Sequence, residues 1–296
     1  MAGAADGGLP AAPERDARRD GAGHRDTRGE RGPQGPVFAL SGPAATRVDP
    51  PADRASAWVL ALLGVTLVPV LVGIWLGSAG VVLAVGSVVA ATVIVLAWRR
   101  GGRPSRRETA MLGLAALVCV PTGLTFAVLT LLGGVAALTA LRRHGYAVAW
   151  RVRRPWWVTV VATGVVGAGL AVVNVALARA SGVTSADTAP VLGLLGAARA
   201  GLSEEIGMRA FLLACAVVVL GHPPVTLAQR VSTYLVMVVP DAAVHASSFA
   251  DLLAQTLVLG VLFGLPLTLL MTRFGVLAAV VAHTVIDAVR FLVIGV

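Results

Sequence analysis

Seven ionisable residues stand inside apolar stretches in the last third of the chain. Glu204, Glu205 and Arg209 lie in GLSEEIGMRAFLL, Asp241 and His245 in VVPDAAVHASSF, and His283 and Asp287 in VVAHTVIDAV. A charged group inside a bilayer costs at least a few kcal/mol, so residues of this kind mark function. Carboxylates and imidazoles are the groups of general acid–base chemistry. Their spacing assigns partners. Glu205 and Arg209 are four apart and share one helix face, where they can form an ion pair. Glu204 is turned about 100° away and is the uncommitted carboxylate. His283 and Asp287 are also four apart, as are Asp241 and His245.

Helices must hold these groups at a common depth. Apolar runs at 57–77 and 80–98 are each about one span of roughly 20 residues. The run 109–141 would make a straight helix of about 50 Å, too long for a core of about 30 Å. Pro121-Thr122-Gly123 offers a break, into two short helices or a re-entrant hairpin. Further runs follow at 155–178, 188–220 (with a possible break near Gly201), 226–246, 250–272 and 274–295. The expected fold is an all-α, polytopic transmembrane helix bundle of about eight spans, or nine if 109–141 crosses twice. Depth can be counted from the side bearing the 221–225 loop, Arg230 and Arg273. Glu205 then lies about 24 Å in, His245 about 22 Å, and His283 and Asp287 about 15 and 21 Å. Three separated motifs therefore reach one level, as a catalytic constellation requires.

Composition agrees with the membrane reading. The 296 residues are 57% hydrophobic and 13% charged, with a mean hydropathy of +0.84, which excludes an ordinary soluble domain. Two cysteines, Cys119 and Cys215, cannot staple a secreted chain of this length; both lie in apolar runs and read as small buried hydrophobes. The net charge of +9 lies in two loops, 99–108 and 142–154, each with five arginines; the rest balances to zero. That is positive-inside charge flanking spans, and no nucleic-acid partner is expected. Residues 1–55 are polar, hold one aromatic, Phe38, and read as a disordered tail. The expected location is the cell membrane, multi-pass, with tail and arginine loops cytoplasmic. The site then falls in the half opposite Arg230 and Arg273. Trp58, Trp75, Trp98, Trp150, Trp156 and Trp157 stand near proposed membrane edges, where indoles favour the interface. Asp251 and Arg290 read as interfacial, and His222 as a loop residue.

The motifs resemble those of the CPBP family, the CAAX proteases and bacteriocin-processing (Abi) enzymes, over about residues 155–296. EEIGMR (204–209) matches the EExxxR motif, His245 stands where the middle motif has its histidine, and VAHTVID (281–287) looks like the last motif, His-x-x-x-Asn/Asp. The chain then reads as three segments: the 1–55 tail and N-terminal membrane helices over 56–154, both from composition, and a core over 155–296 that the resemblance implies is protease-like. It implies an intramembrane endopeptidase of glutamic type, acting on a protein or peptide at the lipid bilayer. Glu204 and His245 would activate a water, Arg209 would hold Glu205, and His283 and Asp287 would help stabilise the oxyanion. Three positions depart from the pattern. Asp241 stands in place of Phe, where it could pair with His245 or orient its ring. Asp287 stands in place of the commoner Asn, and an ionised Asp cannot donate a hydrogen bond. Met208-Arg209-Ala210 stands where Phe-Arg-Gly is frequent.

Other readings remain open at this level. A catalytically inactive relative would keep the motifs without the reaction. No cofactor is expected, but His245, His283 and Glu204 offer nitrogen and oxygen ligands that could serve zinc in a membrane hydrolase, although HExxH is missing. A proton-coupled transporter would also keep Glu, Asp and His in its spans.

Overall fold

A computed structural model describes residues 52–77, 79–99, 103–146, 155–182 and 190–295. The expectations for residues 1–51, for Trp150 and for most of the second arginine loop lie outside the described residues. Those residues form nine helices and no strand. They are α1 (Ala52–Trp75), α2 (Ala79–Trp98), α3 (Arg106–Cys119), α4 (Leu124–Arg143) and α5 (Trp156–Ala180), then α6, α7 (Leu227–Ala243), α8 (Phe249–Phe274) and α9 (Val276–Ile294). Helix α6 runs unbroken from Pro190–Leu202 through a wide π-helical segment, Ser203–Ala210, into Phe211–Leu220. Helices α1, α4, α5, α8 and α9 are long and apolar enough to cross a membrane. The first helix starts at Ala52, before the expected end of the tail.

The long run 109–141 folds back on itself. Helix α3 ends at Cys119, a single 3-10 turn follows at Val120–Thr122, and α4 starts after Gly123. Pro121 sits in that turn, and Gly123 takes φ 151°, an angle that side-chain-bearing residues rarely adopt. The two helices are antiparallel, because Arg142 at the end of α4 pairs with Glu108 in the first turn of α3. Ser105 caps α3 in a reciprocal capping box with Glu108. Both arginine-bearing helix ends therefore meet on one side. His144 Nδ1, just past α4, lies 3.0 Å from the Gly221 carbonyl oxygen past α6, so the 221–225 loop is on that side too.

Helix α4 forms the centre of the packing, with Gly133 through Leu141 buried or nearly so. Gly133 lies against Gly207 of α6; a methyl group on Gly133 would sit 2.9 Å from Gly207 Cα. Small residues at such a crossing let two backbones meet where a bilayer supplies little hydrophobic drive between helices. Outward faces are apolar instead of polar. Val65 and Val68 on α1 and Val160, Val165 and Val172 on α5 are exposed, the pattern of helices solvated by lipid. Trp58, Trp75, Trp98, Trp156 and Trp157 are exposed at helix ends.

Candidate active site

The π segment of α6 coincides with the EEIGMR stretch. Expected as a possible break near Gly201, this region is instead a continuous helix that has widened. In a π segment the hydrogen bonds run to i+5, and such turns recur at functional sites. Residues four and five apart then stand over one another, which brings Arg209 beneath both Glu204 and Glu205. A second π segment, Gly260–Gly264 in α8, packs on α7, with Gly260 and Gly264 facing Val238. It supports the turn of α7 that carries Asp241.

Arg209 is buried and forked between two carboxylates. One guanidinium nitrogen donates to Glu205 on its own helix and the other to Asp241 on α7. Glu205 and Asp241 are buried as well. The expected Asp241–His245 pair is therefore corrected. Helix α7 ends at Ala243 and His245 sits in the following turn, its N–H on the Ala242 carbonyl. The chain direction changes there, because Ser248 caps the next helix. Asp241 thus turns inward to the only cation that buried carboxylates share here.

His283 joins the same network from α9. Its Nδ1 lies 2.7 Å from Glu205 Oε1 and donates to that acceptor. Its Nε2 lies 3.7 Å from Glu204 Oε2 and 3.5 Å from Asp287 Oδ2. His245 Nε2 is also 3.7 Å from Glu204 Oε2. Glu204 therefore faces two imidazoles, and among the described residues no arginine lies within ion-pair distance of it. All six residues given catalytic roles from the sequence, Glu204, Glu205, Arg209, His245, His283 and Asp287, are brought together. Spacing alone could not bring in Asp241 as the second clamp on Arg209.

Two cavities meet at Glu204. The outer one, about 530 Å³, has walls from α1, α4, α6 and the α7–α8 turn, including Ile74, Phe126 and Ser247. The inner one, about 270 Å³, reaches His283 and Asp287. Arg199, Glu204 and His245 line both. The outer walls come from the helix ends remote from Arg142 and Gly221. Arg290, expected at the interface, lines the inner cavity, together with Asn174 of α5. The apolar run hid this, because position along a span does not say which face lines a cavity. Arg199 was visible as a charge within α6 but had no partner at helical spacing.

Among the described residues no three His, Cys, Asp or Glu side chains are grouped to hold a metal ion.

No curated protein and no solved structure matches the chain. Residues 186–289, which carry all three motifs and the whole cluster around Arg209, match the family model described as type II CAAX prenyl endopeptidase, Rce1-like, and so agree with the CPBP family that those motifs resemble.

Proposed function

We propose that this chain is an intramembrane endopeptidase that hydrolyses a peptide bond of a membrane-associated protein or peptide, with Glu204 as general base. The observation that carries this is the isolation of Glu204. Arg209 is occupied by Glu205 and Asp241, so of the two α6 carboxylates Glu204, half-buried at the cavity wall, is the one that faces two imidazoles, across 3.7 Å gaps. Gaps above 3.5 Å between polar groups suit a bridging water. A water between Glu204 and His245 loses a proton to Glu204 as its oxygen attacks the scissile carbonyl. The proton passes to the departing amine nitrogen as the C–N bond breaks. Glu205 anchors His283 through Nδ1 and so aims Nε2 at the reacting carbonyl, where negative charge develops. Asp287 Oδ2 lies 3.5 Å from that same Nε2 and acts by orienting the ring through its charge. No step runs through a metal.

The charge of the arginine loops favours the cytoplasmic face of the cell membrane for them, and the tail, two apolar helices before the first loop, falls on the same side in this reading. The outer cavity then opens on the opposite face. The test uses the full chain in liposomes with quenched-fluorescence peptides. Glu204→Gln and His245→Ala should each lower cleavage by about 10²-fold or more while inserting and melting like the parent. Full activity in both variants refutes the assignment.

A further inference from the structure

We infer that Arg199, Arg290 and Asn174 form a subsite that holds a carboxylate of the bound peptide; the identity of that occupant rests on the peptidase reading above. Arg199 is a cation in an apolar helix with no carboxylate within 4 Å among the described residues. Its guanidinium lies over the Phe126 ring, 4.2 Å from the centroid, and its Nε is buried without an acceptor. Arg290 has the same deficit: no ion pair among the described residues and a buried Nε without a partner. Arg209 also has a buried Nε without a partner, but its other two guanidinium nitrogens are each paired with a carboxylate. Unpaired cations at membrane depth are costly, and these two line one cavity with the amide of Asn174.

Their level follows from helix packing. Helices α6 and α9 are antiparallel, since Gly193 lies against Phe291 and Gly201 against Thr284 and the Val280 carbonyl. Arg199 is therefore level with the α9 turn that carries Asp287 and Arg290. The inner cavity thus has a wall of donors, Arg199, Arg290 and Asn174, beside a reaction centre built from carboxylates and imidazoles. A planar guanidinium fork held on an aromatic face is suited to bidentate carboxylate recognition. Arg199 precedes Glu204 by five residues, about 7.5 Å along the helix. An extended peptide advances about 3.3 Å per residue. The carboxylate therefore sits roughly two residues from the bond beside Glu204. It is either the free C-terminus of the peptide or an acidic side chain.

Binding is measured on the full chain carrying Glu204→Gln in nanodiscs, so no cleavage is needed and a failed peptidase reading leaves this readout intact. The probes are three forms of one N-terminally fluorescein-labelled apolar hexapeptide: free acid, C-terminal amide, and amide with one internal Glu. Fluorescence anisotropy should show one or both carboxylate forms binding about ten-fold or more tighter than the plain amide. Adding Arg199→Gln should level the three, and Arg199→Lys should restore part of the preference. Whichever carboxylate form is preferred identifies the source. Equal binding of all three forms, or a preference that survives Arg199→Gln, overturns the inference. If Arg199→Gln fails to assemble, Arg290→Gln serves instead, and an undiminished preference there overturns it equally.

Discussion

Removing the Asp241 carboxylate tests whether Arg209 depends on two helices or on Glu205 alone. Arg209, Glu205 and Asp241 are all buried, so Asp241→Ala strips one partner from a guanidinium that water cannot reach. Breaking a buried pair from one side costs about 3–5 kcal/mol. The exposed pair supplies the contrast. The Arg142 side chain is 42% exposed where it meets Glu108, and such pairs are worth about 0.2–1 kcal/mol. At about 2–4 °C per kcal/mol for a chain of this size, Asp241→Ala should lower the thermal midpoint in detergent by about 6–20 °C. Arg142→Ala should lower it by at most about 4 °C. Asp241→Phe restores the residue type usual in the resembling motif, yet it should also be costly, since a phenyl ring cannot receive Arg209. A cycle of Asp241→Ala, Arg209→Met and the double variant should show a coupling of at least about 1 kcal/mol. An additive cycle, or a midpoint within about 2 °C of the parent for Asp241→Ala, refutes the clamp.

Three further outcomes are expected. Gly133→Leu should abolish activity and lower the melting midpoint, because even a methyl there would sit 2.9 Å from Gly207 Cα, whereas Gly64→Ala, with nothing within 4 Å, should be neutral or stabilising by up to about 1 kcal/mol. In spheroplasts, Ser247→Cys in a chain with Cys119 and Cys215 replaced by Ala should react with a membrane-impermeant maleimide from outside, and Arg143→Cys only after permeabilisation; the reverse pattern inverts the topology. Cleavage should persist after dialysis against chelator, and a loss restored by zinc alone would contradict metal-free hydrolysis.

The helical plan was legible because each interruption has a local chemical cause. Pro121 and Gly123 announce the α3–α4 turn, and a span limit of about 30 Å makes the fold-back necessary. The Glu205–Arg209 pair was readable from spacing, because i,i+4 partners remain neighbours even when the helix widens. The widening itself was not, since a 3.6-residue period cannot reveal a local change in hydrogen-bond register. Asp241 was assigned to His245 on the same reasoning that worked for Arg209. That reasoning failed because α7 ends between them, and because the true partner is 32 residues away in sequence. The cavity-facing role of Arg290 was out of reach for a related reason. A cavity lets water-like polarity extend to a depth that distance from a span end does not register.

The order of the chain has a consequence for biogenesis. Helices emerge from the ribosome N-terminal first, and the two walls that α1 and α4 give the outer cavity are made before any of the ionisable cluster. Arg209 enters the membrane with Glu205 at hand, but Asp241 arrives a helix later and His283 only with the last helix. A nascent chain therefore holds Glu204 first without His245, which follows α7, and then without His283, which comes with α9. On the proposed reading, the set of Glu204, His245 and His283 is complete only once α9 docks against α5 and α6, so a chain still inserting its earlier helices would lack the His283 donor.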